Sequence, residues 1–158
     1  MRPSSSDRFE RLAAECGLTL AAEALYSAPR DVASPPLEMD QHYLVTLTPA
    51  SSDAVIRVVF TTPLSDPAPP TLRDILWWLA ADAWAVERAG GVFGEWIALH
   101  GYPAQDPASA RLFSQHVNQA SSLVELIGND CYSRLLAAYA AEVFVTARQT
   151  STRGLIKR

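Results

Sequence analysis

The chain has 158 residues, 49% of them hydrophobic and 19% charged, with a formal net charge of −4. That is the size of one domain, with enough apolar residues to build a core unaided, and two cysteines make no disulfide framework. Residues 1–143 carry 17 acids against nine arginines, a balance of −8, which excludes the basic stripe of a general DNA binder.

The N-terminal residues are polar, and no apolar signal-peptide segment follows them. No run approaches the ~18 apolar residues of a membrane span. A soluble, cytoplasmic protein with reduced thiols is expected.

Asp7 and Glu10 fit a capping box before a short amphipathic helix with Phe9, Leu12, Ala13 and Cys16 on one side. Gly17 stops it. Cys16 there reads as a small core residue rather than a nucleophile. Residues 18–27 are ambiguous. Alanine and glutamate favour a helix, whereas the alternation of Leu18, Leu20, Ala22, Ala24 and Tyr26 allows a strand. Pro29, Pro35 and Pro36 make 28–37 a loop.

Residues 42–48 and 54–62 are rich in β-branched and aromatic side chains, and 49–53 supplies the turn of a hairpin. Ile56, Val58 and Phe60 form the better core face of the second strand. His42, with no partner at metal-ligand spacing, reads as structural. The proline-rich stretch 63–70 is a stiff connector.

Thr71 caps a helix running to about Ala89, with Asp74 at the box position, and Gly90 and Gly91 end it. Residues 93–100 form a shorter helix stopped by Gly101. Asp106 and Pro107 start a further helix, which ends at Gly128, with Leu112, Phe113, Val117, Ala120, Val124 and Ile127 inward. A last helix begins at Asn129 or Asp130 and turns Cys131, Leu135, Leu136, Tyr139 and Val143 inward. Residues 1–147 thus read as one α+β domain, followed by a basic tail at 148–158 that holds Arg148, Arg153, Lys157 and Arg158.

Motifs for chemistry are scarce. There is no dinucleotide or P-loop fingerprint, and the glycine-rich turn at 90–94 follows a helix rather than a strand. His42, His100, His116 and the cysteines show no metal-ligand spacing, so no metal or cofactor is expected. Asp82 falls at the edge of the central helix's core face, between Ile75 and Trp78 at about 100° per residue. A carboxylate there needs a donor, an arginine or a tryptophan N–H, and reads as part of a structural network rather than a general acid or base. His116, beside the inner face of its helix, likewise reads as a satisfied histidine.

The distinctive feature is aromatic. The central helix builds its core face from Leu72, Ile75, Leu76, Leu79, Ala83 and Val86. Trp77 and Trp84 project together on another side, flanked by Arg73 and Arg88. Tryptophan and arginine are enriched at binding hot spots, and a guanidinium over an indole adds cation–π attraction. These four residues are the candidate partner-binding stripe; the alternative is that a neighbouring helix covers them. Trp78 and Trp96 read as scaffold.

Several short motifs in order carry a resemblance. They are His42-Tyr43 opening a strand, Phe60 in the next, Pro70-Thr71 with Asp74 at a helix start, and Leu79 with Asp82-Ala83. Phe93, Trp96 and Gly101-Tyr102 follow, then Asp106 and Gly128 bounding a helix. Over roughly 40–130 the chain resembles a group of small phage and prophage proteins without a settled activity. The second tryptophan pair and the basic tail depart from that pattern. The resemblance implies mobile-element origin, a role against host defence of the anti-CRISPR kind, and a strand at 18–27 completing an antiparallel sheet of three.

The expectation is therefore an α+β domain, with about three antiparallel strands and five helices. Its expected function is non-catalytic: a binding inhibitor whose partner is a host protein or ribonucleoprotein complex. The alternative is a nucleic-acid-associated regulator acting through the tail. A small hydrolase or transferase would instead need a polar pocket near Asp82, His116 or His100.

Overall fold

A computed structural model describes residues 5–29, 38–49, 53–65, 68–102 and 106–156, with the backbone alone over 5–7 and 145–156. Among them the order is α1 (Ser5–Glu15), β1 (Leu18–Pro29), β2 (Met39–Pro49), β3 (Ile56–Pro63), α2 (Leu72–Arg88), α3 (Phe93–His100) and α4 (Pro107–Ile156). The fold is α+β, with one antiparallel sheet ordered β1-β2-β3.

Residues 18–27 are strand, so pairing with β2 overrides their alanine content. The register sets Leu20 opposite Leu47, Val45 opposite Val58, and Tyr43 opposite Phe60. One face therefore gathers Leu18, Leu20, Tyr43, Val45, Leu47, Ile56, Val58 and Phe60 against the helices. The alternation along β1 fails at Leu25, where an irregularity between Ala24 and Tyr26 shifts the register. Tyr26 then pairs with His42 and stacks on its ring at 4.6 Å. His42 also meets Thr61 Oγ1 at 3.0 Å, so it ties three strands together.

The expected capping box at Asp7 and Glu10 is not the start of α1. The helix begins at Ser5, and Asp7 lies inside it. The box at Thr71 does form. Thr71 Oγ1 accepts from the Asp74 amide at 3.2 Å, and Asp74 Oδ2 accepts from the Thr71 amide at 3.0 Å.

Four helices are found among the described residues where five were expected. The two expected on either side of Gly128 form one element, interrupted at that residue by φ 84° and ψ 161°. Only glycine reaches this region without strain. The expected 28–37 loop lies mostly outside the described residues, as do 50–52 of the hairpin turn and 66–67 of the connector.

Two cores result. The larger joins the sheet to α1 (Phe9, Leu12), α2 (Ile75, Leu76, Leu79) and α4 (Leu123, Leu126, Leu135). The smaller holds Ala85, Val86 and Ala89 of α2 against Trp96 and Ile97 of α3, with Phe113 and Val117 of α4 around them. α2 passes through both, which explains its nearly all-round apolar surface.

Candidate functional site

The stripe on α2 is engaged within the chain. Trp77 sets its ring edge-on to Tyr139 at 4.7 Å and to Phe9 at 5.5 Å. Trp84 lies 6.1 Å from Tyr139 and 6.3 Å from Phe144, both on the second half of α4. The Arg73 guanidinium sits over the rings of Phe9 and Trp77 at 5.5 and 5.7 Å. It approaches Glu142 at 3.3 Å and Glu10 at 3.6 Å, joining α1, α2 and α4. Of the four expected contact residues, Arg88 is exposed and Arg73, Trp77 and Trp84 are half-buried. Side chains of α4 and α1 pack against this face and leave Trp77 and Trp84 half-buried.

Trp78 corrects the other half of the tryptophan reading. Expected as scaffold, it is 56% exposed. About 100° around α2 from Trp77, it leans over β3 and meets Phe60 edge-on at 6.4 Å. Among the described residues β3 is an edge strand, hydrogen-bonded to β2 alone, and no further strand extends the sheet beneath the indole. Trp96, by contrast, is fully buried, with Phe113 at 5.3 Å, Tyr102 at 5.4 Å and His116 at 5.8 Å.

Between β3 and α2 lies a half-open cleft of about 200 Å³. Val58, Phe60, Ile75, Leu79 and Trp78 give it apolar and aromatic walls, and Asp82 and Gln119 supply its polar groups. Three consecutive residues of β3, 58–60, line it, so the free edge of the strand faces the cleft.

The donor to Asp82 is neither an arginine nor a tryptophan N–H. It is His116 of α4, whose Nε2 lies 3.5 Å from Asp82 Oδ2. The histidine side chain is 15% exposed and the aspartate 31%. Burial acts on both in the sense that opposes an ion pair. It raises the Asp82 carboxyl, against a smaller lowering by His116 and His100, and it lowers the His116 imidazole, against a smaller raising by Asp82. The geometry suggests a salt bridge, but a contact as long as 3.5 Å is weak compensation for lost water, so the burial direction decides. Near neutral pH His116 is neutral beside the carboxyl. Its Nδ1, the Trp96 Nε1 and the Gln119 Oε1 are buried without a hydrogen-bond partner among the described residues.

No family model, curated protein or solved structure gives a significant match to this chain. The site is therefore read from its own chemistry. Among the described residues that line the cleft there is no serine, threonine or cysteine to act as a hydroxyl or thiol nucleophile. Among the described residues no group of three or more His, Cys, Asp or Glu is placed to hold a metal ion, and no helix is long and apolar enough to cross a membrane.

Elsewhere, α1 and α4 border a second cleft of about 330 Å³, lined by Arg8, Arg11, Arg134 and Glu15 above alanines. Glu15 binds Arg134 at 2.7 Å. Beside it the free thiols Cys16 and Cys131 hydrogen-bond to each other. Burial first, then this contact, pushes the Cys16 thiol up to about 12, which keeps it protonated and inert. Sequence reasoning missed this meeting because the two cysteines are 115 positions apart. Of the basic tail, Lys157 and Arg158 lie outside the described residues, and for Arg148 and Arg153 the backbone alone is described.

Proposed function

We propose that this chain is a non-catalytic binding protein that inhibits a host defence complex, and that its contact surface is Trp78 with the free edge of β3. One observation supports the surface above others: a tryptophan more than half exposed beside an apolar cleft, next to β3, one of the two edge strands of the sheet. Exposed tryptophans are rare on surfaces without a partner, and unpaired strand edges are sites of strand addition. The nature of the partner rests on the resemblance to phage and prophage proteins alone.

The test is phage plating on bacteria whose CRISPR immunity targets that phage. Expression of the chain is expected to raise the plating efficiency, and a folded Trp78→Ala variant to lose most of that effect. A wild-type protein that leaves plating unchanged across such strains would sink the host-defence reading. A Trp78→Ala variant with full potency would move the contact surface elsewhere. The competing reading, nucleic-acid binding through the basic tail, requires salt-sensitive retention of DNA or RNA that disappears on deleting 148–158.

A further inference from the structure

The cleft beneath Trp78 has a chemistry that an apolar contact surface does not require. Its walls are hydrocarbon and aromatic, yet it ends on a carboxylate. A carboxylate in such surroundings is costly unless a cation answers it. Among the described residues no arginine or lysine lines the cleft. The titratable groups facing Asp82 are His116 and Tyr139 on α4 and His100 on α3. None of these carries a permanent positive charge, and burial holds His116 neutral. β3 contributes only Val58, Val59 and Phe60.

The geometry points to a receptor for one arginine side chain presented by a polypeptide, with its alkyl stem lying along the Phe60 and Trp78 rings and its guanidinium on the Asp82 carboxylate. This rests on the protein-binding reading for the identity of the ligand's carrier, and on the cleft alone for its charge. A volume of about 200 Å³ equals roughly six waters, room for one long side chain and little more. Arginine suits the site better than lysine. Its planar, weakly hydrated guanidinium stacks on an indole and still presents a donor fork to a carboxylate. The Gln119 amide also lines the cleft and offers a further polar group. The free edge of β3 offers main-chain groups to the residues flanking the arginine, which favours a peptide over a free guanidino metabolite. The acidic balance of the body adds long-range attraction for a basic partner.

The experiment titrates the full chain with a blocked pentapeptide holding one central arginine, followed by the Trp78 indole N–H resonance. Its citrulline counterpart and agmatine serve as comparison ligands. The arginine peptide is expected to saturate the Trp78 shift in the millimolar range, with citrulline binding at least about tenfold weaker, since a charge-assisted hydrogen bond is lost. Asp82→Asn should weaken binding by about tenfold with the amide spectrum otherwise intact, and Trp78→Ala, followed by the backbone amide shifts of β3, by about threefold. Glu125→Gln, an exposed charge loss on α4, should bind as wild type. Affinity should fall as acid protonates Asp82. Equal binding of citrulline, or an Asp82→Asn variant that binds as well as wild type, would overturn the site. Agmatine binding at least as tightly as the peptide would overturn the polypeptide source. If Asp82→Asn still raises phage plating while Trp78→Ala does not, the arginine receptor fails and the contact surface survives.

Discussion

Asp82 is a residue that costs stability where it stands. Its folded carboxyl is raised above the ordinary 3.8, chiefly by burial. A raised acid stabilises the fold below its unfolded value and loses that contribution as the pH climbs through the folded value, so at neutral pH the ionised form is a net burden. Asp82→Asn should therefore raise the melting temperature at pH 7 by about 2 °C, and the gain should close as the pH falls to where Asp82 is protonated. His116 works the other way. Its folded imidazole is lowered from 6.5 by burial, so its contribution is present above 6.5 and is lost as the pH falls from there towards the folded value. A His116→Gln variant should show a flatter melting-temperature profile from pH 7 down to 5. A steeper profile would mean that the ion pair, not burial, governs the couple. The position of Asp82 at the edge of a core face was legible from helical spacing. Its partner was not, because His116 lies 34 residues away on a different helix. Nor could spacing reveal which tryptophan is covered. Helical angle separates Trp77 from Trp78, but only the tertiary fold decides that α4 lies over one and an edge strand beside the other.

The elements follow local signals where those signals are backbone chemistry. Thr71 with Asp74, the paired glycines after α2 and Gly101 each mark a boundary that the structure keeps. Gly128 marks one too, though it bends α4 rather than ending it, because the chain resumes helical geometry at once. A Cβ at Gly128 would meet nothing within 4 Å, so substitution there tests backbone strain alone. Gly128→Ala is expected to cost about 1–3 kcal/mol in chemical denaturation. A loss near zero would mean that the bend can relax into straight helix. β1 was the element least legible in sequence. Its alanines carry a helix signal, and much of the strand is exposed on both faces, so strand pairing rather than burial settles its conformation.

At the scale of the molecule, α2 is held between two cores and Arg73 fastens its start to both flanking helices. The guanidinium lies over two aromatic rings while reaching Glu142 and Glu10, and its side chain is mostly buried. Removing it would take one cationic contact from Glu142 and packing from the two rings. Arg73→Ala should destabilise the chain by about 2 kcal/mol, measured by urea denaturation, whereas Arg88→Ala should change stability by less than about 0.5 kcal/mol. Equal effects would contradict the different roles that the fold gives the two arginines. The class, the three-stranded sheet and the core face of α2 were readable from pattern. Which helix meets Trp77 and Trp84 was not, since Tyr139, 62 and 55 positions downstream of them, returns across the bend at Gly128.

That return has a bearing on how the chain is made. α1, the sheet and α2 leave the ribosome well before the second half of α4, yet Phe9, Leu12 and Trp77 wait for Leu135 and Tyr139 to cover them. The bond between Glu15 and Arg134 joins residues 119 positions apart in a chain of 158. Closure is thus a late event of synthesis. Nascent chains stalled short of about residue 140 should expose their apolar surface to chaperones, and a premature stop in α4 should yield an aggregating product rather than a shortened fold.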